Sequence, residues 1–356
     1  MSKTHSKILA HGLVLPHPPT LPQDMVPSFR WLKVFAAVMV ISLSTPLAAQ
    51  ALRGDASIGA NVFGSPLVIS TSDRLAGAIG SVTWKGMEFI NSADHGRNLQ
   101  SASSFDGLGE CYNPTEAGSS AYKGSPGVSR GDGAGPTSTS RLLGIQAVGN
   151  VLKTTTRMAF WTPAGQPYPR GCGIFTGKNG KPLITLAQNA TDLSNDTVAK
   201  QVTIGFAGLP NVIEYLVTFH VTSEHKSAAF EALTGYMPSV FSEFWTFDPA
   251  SASLRTLSQE AGEQRLPIIF STPDHHYAMG IYAPALPLAS FPSLGYGRFA
   301  FNAQKTVKWN AVFRSGSVPA GSDHSFAMYV VIGNIEQVQQ GMQSTYVAVH
   351  RKPVTE

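Results

Sequence analysis

Charge is scarce in this chain: Asp, Glu, Lys and Arg make up only 13% of its 356 residues. The first 51 positions hold Lys3, Lys7, Arg30 and Lys33 against the single acid Asp24, so of the formal +4 only +1 belongs to the remainder. That balance gives no electrostatic footprint for nucleic acid, and no nucleic-acid partner is expected. Cysteine is nearly missing, with only Cys111 and Cys172. Neither has a second Cys or a His at zinc-type spacing, so no metal site is expected. No HExxH segment, phosphate-binding Walker loop or dinucleotide-type GxGxxG occurs, so neither a zinc peptidase nor a nucleotide-dependent enzyme is supported, and no cofactor is expected. GVSRG at 127–131 matches a nucleophile elbow in letters only, because no strand precedes it and no helix follows. Internal repeats and coiled-coil heptads are absent as well.

The one long apolar run lies near the start. Arg30 and Lys33 precede VFAAVMVISLSTPLAA, which is short for a bilayer span, contains Pro46 and ends in small residues. This is the pattern of a secretory signal peptide, with cleavage near Ala49 or Ala51. The alternative is an uncleaved N-terminal anchor. Met25, just ahead of the basic residues, suits a start codon better than the Pro- and His-rich stretch before it. The expected organisation is a leader over 1–51 and a single domain over 52–356, periplasmic or secreted, with no stable membrane span in the mature chain. In an oxidising compartment Cys111 and Cys172 are expected to pair, closing a loop of about 60 residues worth roughly 3 to 4 kcal/mol, the alternative being two free buried thiols.

Beyond Ser65 the apolar pattern has a period of two. SVTWKGMEFIN reads as a hairpin, with Val82 and Trp84 on one face, a turn at Lys85 and Gly86, and Met87 and Phe89 returning. LLGIQAV, TTTRMAFW, PLITLAQ, AKQVTIGF, EYLVTFHV, AAFEALTGYM, PIIFSTP, YAMGIYAP, GRFAFNA, VKWNAVFR and FAMYVVIG read as further strands. So many strands separated by turn chemistry imply an all-β fold, a large antiparallel β-sandwich of packed sheets. Ile335, Val338, Met342 and Tyr346 have helical spacing and predict one short C-terminal helix.

The segment from Asp94 to Gly118, DHGRNLQSASSFDGLGECYNPTEAG, has neither period. It combines acids, amides, a His and an Arg with Phe105, Cys111 and Tyr112, as expected of an ordered site built on loops. His95 and Glu116 are the candidate proton-transfer pair, and Arg97, Gln100 and Asn113 the candidate substrate contacts. The bland alternatives are a backbone clamp from Arg97 to Asp94 or Asp106, and carboxylates that only pair with cations. His220 shares a strand face with Glu214, Leu216 and Thr218, which would aim it into a groove or leave it a core histidine. The Gly/Ser-rich stretch Ala117–Ser140 reads as a linker or as a long loop over the site. The DHHY turn at 274–277 reads as solvated. Aromatics with interleaved acids, above all SEFWTFDP with Glu243 and Trp245, suit sugars, which present apolar C–H faces and hydroxyls.

AGAIGSVTWKGMEFIN resembles the first hairpin of galactose-mutarotase-like β-supersandwich proteins, and HSFAMYVVIGNIEQV resembles the closing strand of such domains. The resemblance takes in most of residues 60–350. It implies a supersandwich whose concave sheet holds carbohydrate, in a superfamily that includes aldose epimerases, polysaccharide lyases and sugar-binding domains of glycosidases. The chain lacks the epimerases' His-containing NHTYWNL-type segment and their downstream general-base motif, so no catalytic residue is carried over. A glycan-degrading hydrolase or lyase acting on an oligo- or polysaccharide is therefore expected ahead of an epimerase. The competing class is a noncatalytic carbohydrate-binding or envelope-structural sandwich protein.

Overall fold

In the computed structural model the residues described are 52–119, 135–168, 184–284 and 293–350. The leader and Cys172 lie outside them. The chain runs through β1 (Ser57–Val62), β2 (Ser65–Thr71), β3 (Ile79–Trp84), β4 (Met87–Glu88), β5 (Leu99–Phe105), β6 (Pro114–Thr115), β7 (Arg141–Val148), β8 (Val151–Phe160), β9 (Leu193–Phe206) and β10 (Leu209–Val221). It continues through β11 (Ala228–Pro238), β12 (Glu243–Asp248), β13 (Ser253–Leu257), β14 (Gly262–Gln264), β15 (Ile268–Ser271), β16 (Ala278–Tyr282), β17 (Ser293–Phe301), β18 (Thr306–Ser315), β19 (Ser322–Gly333) and α1 (Ile335–His350).

The antiparallel pairings resolve into two broad layers. One runs β7-β8-β9-β10-β19-β16-β15-β12-β13, and the other β14-β17-β18-β11-β5-β3-β2-β1. The short β6 joins them by pairing with both β5 and β8. Their inner faces meet in a single core, in which Phe230 of β11 packs at 5.1 Å from Phe219 of β10 and 5.5 Å from Phe326 of β19. Strand alternation puts every second residue of central strands such as β9 and β10 into this core. α1 covers the other side of the first layer, where Val338 and Met342 are buried against β10, β16 and β19. Among the described residues no helix is long and apolar enough to cross a membrane.

The sandwich, the β3–β4 hairpin and the terminal helix meet the sequence expectations. Lys85 (φ 49°) and Gly86 (φ 78°) form the turn, with Trp84 opposite Met87. Two local expectations fail. Leu99–Phe105, read as aperiodic loop, is a strand whose two faces are both covered, so no polar alternation marks it. The described part of PLITLAQ forms only an isolated bridge, Pro167 to Leu186, rather than a strand.

Candidate functional site

The outer face of β5, β11, β18 and β17 carries a pocket of about 510 Å³. β5 and β18 contribute alternate residues to it, Gln100 and Ala102 from one, Lys308 and Asn310 from the other. β11 breaks that rule, because Glu231, Thr234 and Tyr236 all face the pocket. The reason is a bulge. Glu231 pairs with Ala102 and Thr234 with Gln100, so three steps on β11 oppose two on β5, and the extra residue flips the alternation between them. Without it, an acid and a tyrosine five positions apart would point to opposite faces.

The pocket floor is an ion pair set in aromatic surroundings. Lys308 Nζ lies 3.3 Å from Glu231, and 5.3 and 5.4 Å from the rings of Tyr236 and Phe299, its cross-strand neighbours on either side. Thr234 Oγ1 donates to Glu231 Oε2 at 2.6 Å. Burial pushes the Glu231 carboxyl up, but the Lys308 charge and hydrogen bonds from Thr234, Asn310 and Lys308 outweigh it and hold the group below the usual carboxylate range. Burial pulls Lys308 down, yet the negative charge of Glu231, with Tyr236 and Glu110 adding to it, holds the ammonium well above its ordinary value. Burial raises the Tyr236 phenol. At neutral pH the floor therefore presents a carboxylate, an ammonium and a neutral phenol.

Asn310 reaches across β17, its Oδ1 accepting the Gly297 N–H at 3.1 Å. A Cβ at Gly297 would stand 2.2 Å from that oxygen, so glycine is required there. Phe299 and Phe301 continue the aromatic shelf, with Phe301 stacked on Tyr236 at 6.5 Å. Trp161 forms an opposing wall. It is placed by its backbone N–H, which donates to the Asn113 carbonyl at 2.9 Å, and by Gly96, over which its ring sits. A Cβ on Gly96 would lie 2.2 Å from the indole, so Gly96→Ala is expected to displace the Trp161 ring, which a shift of the tryptophan fluorescence maximum relative to wild type checks; an unchanged spectrum would mean that the glycine does not place the ring.

The residues expected from the sequence divide into three groups. Arg97, Gln100 and Asn113 do line the pocket. Arg97 is also clamped to Asp94 at 2.8 Å, so the clamp and the site coexist. Gln100 is fixed by the Ala117 N–H, which donates to its Oε1 at 3.0 Å. His95 and Glu116, the expected proton-transfer pair, do not line it. Both are fully buried, and Glu116 is turned to the inner side of β5, where it pairs with Lys200 and accepts the Ser101 N–H at 3.1 Å. Adjacent strand residues face opposite ways, so a segment that sends Gln100 to the pocket sends Ser101 and its partner Glu116 inward.

His220, Glu243 and Trp245 also lie elsewhere. His220 pairs with Asp323 at 2.7 Å on the exposed side of β10 and β19. Glu243 pairs with His275 at 2.7 Å, and the Trp245 ring stands edge-on to that imidazole, its Nε1 donating to Ser271 Oγ at 3.0 Å. His275 is thus engaged rather than merely solvated, while its more exposed neighbour His276 lies 3.4 Å from Asp274. Cys111 is buried, and the Gly/Ser-rich excursion has its described ends pinned together, the Thr139 N–H donating to the Ser119 carbonyl at 2.9 Å.

Glu231, Lys308, Tyr236, Asn310, Trp161 and Glu110 also line the pocket. Glu231 is the lone charge in the largely apolar run AAFEALTGYM, and Lys308 stands between Val307 and Trp309 in VKWNAVFR. An acid in one strand and a base in another, each near aromatics, was the available signal.

No family model matches the chain, and no curated protein matches it. Solved structures do. A galactose mutarotase-related enzyme of Lactobacillus acidophilus is 10% identical, with 79% of this chain and 97% of that one covered at a TM-score of 0.40. An α-galactosidase from Lactobacillus brevis is 9% identical over 83% of this chain and 42% of its own, at a TM-score of 0.43. A heparan sulfate lyase from Pedobacter heparinus is 9% identical over 80% of this chain and 36% of its own, at 0.39.

Proposed function

We propose that this chain is an exported carbohydrate-active enzyme that takes a sugar residue into the β5-β11-β18-β17 pocket and breaks a glycosidic linkage there by hydrolysis or elimination. The observation that carries the reading is the Glu231–Lys308 pair on the floor, between the Trp161 wall and the Tyr236, Phe299 and Phe301 shelf. Aromatic walls take the C–H faces of a pyranose, while Arg97, Gln100, Asn113 and Glu110 offer hydrogen bonds to its hydroxyls. Glu231 is ionised and so acts as proton acceptor, toward a water in hydrolysis or toward a ring C–H in elimination. Lys308 stays protonated and opposes the negative charge that develops on oxygen. Tyr236, neutral, is the available hydroxyl donor.

The test is a screen of the purified mature protein against neutral and uronate-containing glycans, reading new reducing ends and unsaturated products. Products that disappear in Glu231→Gln support the reading. Binding that depends on Trp161 and survives Glu231→Gln, without products in the wild type, would instead make this a noncatalytic carbohydrate-binding protein.

Export also makes a prediction of its own. The Cys111 carbonyl accepts the Gln188 N–H at 2.7 Å, so the chain just beyond the segment that carries Cys172 lies alongside Cys111. The exported protein, denatured without reductant, is expected to show no titratable thiol, and two thiols after reduction. Two free thiols before reduction would overturn the pairing.

A further inference from the structure

A second, smaller pocket of about 130 Å³ lies next to the first, lined among others by Tyr112, Phe160, Ser194, Asp196, Ser223 and His225. Its wall is shared. Tyr112 and Phe160 face it, whereas their chain neighbours Asn113 and Trp161 face the larger pocket, and the Trp161 N–H to Asn113 carbonyl bond ties the two segments together.

Two buried side chains are held there with one polar atom each left to the pocket. Asp106 fixes His225: its Oδ1 accepts the Lys226 N–H at 2.7 Å, and its Oδ2 faces His225 Nδ1 at 2.9 Å. Burial pushes the Asp106 carboxyl up, but the hydrogen bonds from His225 and Lys226 overcome this and keep it below its usual range, so it is an acceptor and Nδ1 carries the proton. The imidazole stacks on Phe105 at 4.0 Å with an interplanar angle of 11°, which fixes its plane. In the neutral ring Nε2 is then the acceptor, and no protein group bonds it among the described residues. Asp196, 5% exposed, accepts the Thr222 N–H and hydroxyl on Oδ1, both at 2.8 Å. Its Oδ2 likewise has no hydrogen-bond partner among the described residues.

An acceptor nitrogen and an acceptor carboxylate oxygen opening into one small cavity call for a ligand that supplies donors. Among the described residues no third metal-ligating side chain joins them, which disfavours a metal ion, while Tyr112 and Phe160 offer apolar faces. We propose that this pocket is a second ligand site, separate from the Glu231 pocket, that binds a small polyol or single sugar residue through a pair of neighbouring hydroxyls donated to His225 Nε2 and Asp196 Oδ2. Because the wall is common to both pockets, its occupant bears on the placement of Asn113 and Trp161.

The experiment follows the His225 ring resonances by NMR in the mature protein, assigned by loss in His225→Gln, while D-glucose, D-galactose, D-xylose and myo-inositol are titrated in turn. A saturable shift with at least one probe is expected, unchanged in Glu231→Gln and weakened at least tenfold in Asp196→Asn. Since Asp196 also orders Thr222, a second variant keeps the test open: Ser223→Trp, at the exposed rim and free of these bonds, is expected to abolish the shift in a folded protein. No shift with any probe, a shift that persists in Ser223→Trp or vanishes in Glu231→Gln, or a response to zinc alone would each overturn the proposal.

Discussion

Glu231→Gln is expected to lower glycan turnover by about 10²- to 10⁴-fold, the range for loss of a positioned proton acceptor, while the dissociation constant for substrate changes little. Gln keeps the shape and can still accept the Thr234 hydroxyl, so the strand and its bulge are undisturbed. What is lost is the charge and the ability to take a proton. Lys308→Met supplies the complementary test through pH. In the wild type, Lys308 and the hydrogen bonds hold the Glu231 pKa below its ordinary value despite burial, so the base form persists as pH falls below about 4.5. Removing the ammonium leaves burial to dominate, and the acid limb of the pH–rate profile should move to higher pH. The same sign governs stability. A depressed folded-state pKa contributes stability that is present above the unfolded pKa and is lost as pH falls through the folded one, so the pair protects the fold down to acid pH and not beyond. An acid limb that stays in place in Lys308→Met would mean that the ion pair does not set the titration of the catalytic group.

The layered β fold was legible because a strand buried on one face writes a period of two into its sequence, as β10 does with Tyr215, Val217 and Phe219 directed inward. β5 was not, because both of its faces are covered and its small polar residues suit a loop equally well. Three of the five candidates in the 94–118 segment nevertheless reached the pocket. Arg97, Gln100 and Asn113 are there, and His95 and Glu116 are not, a division decided by which way each backbone position faces rather than by residue type. Glu231 and Tyr236 escaped for a related reason: simple alternation along β11 separates them, and only the bulge at Ala232 and Leu233 brings them to one face. A bulge leaves no residue signature in AAFEALTGYM, so the constellation could be assembled only from the register. The ligand-free acceptors His225 and Asp196 were silent too, since Asp106, His225 and Asp196 come from three distant parts of the chain.

The buried Glu116–Lys200 pair makes the other large prediction, on stability. Both side chains are almost wholly inaccessible, at 0% and 1%, and the ammonium also lies 6.0 Å from the Tyr215 ring. The rest of the setting is tightly bonded: Tyr215 OH meets Ser101 Oγ at 2.9 Å, and Ser101 Oγ donates to the Ala232 carbonyl at 2.7 Å. Burial and the Glu116 charge together hold the Tyr215 phenol well above its usual pKa, so it stays neutral. Removing one partner strands the other charge between the two layers, and Lys200→Met is expected to cost about 3 to 5 kcal/mol. At roughly 2 to 4 °C per kcal/mol, the fall in Tm should be on the order of 10 °C. Replacing both, as in Glu116→Leu with Lys200→Met, should be milder than either single change, because no buried charge remains. Glu116→Gln distinguishes this role from proton transfer. A structural carboxylate predicts lower Tm with kcat/KM close to wild type in the folded protein, whereas loss of kcat at unchanged Tm would return Glu116 to the catalytic machinery.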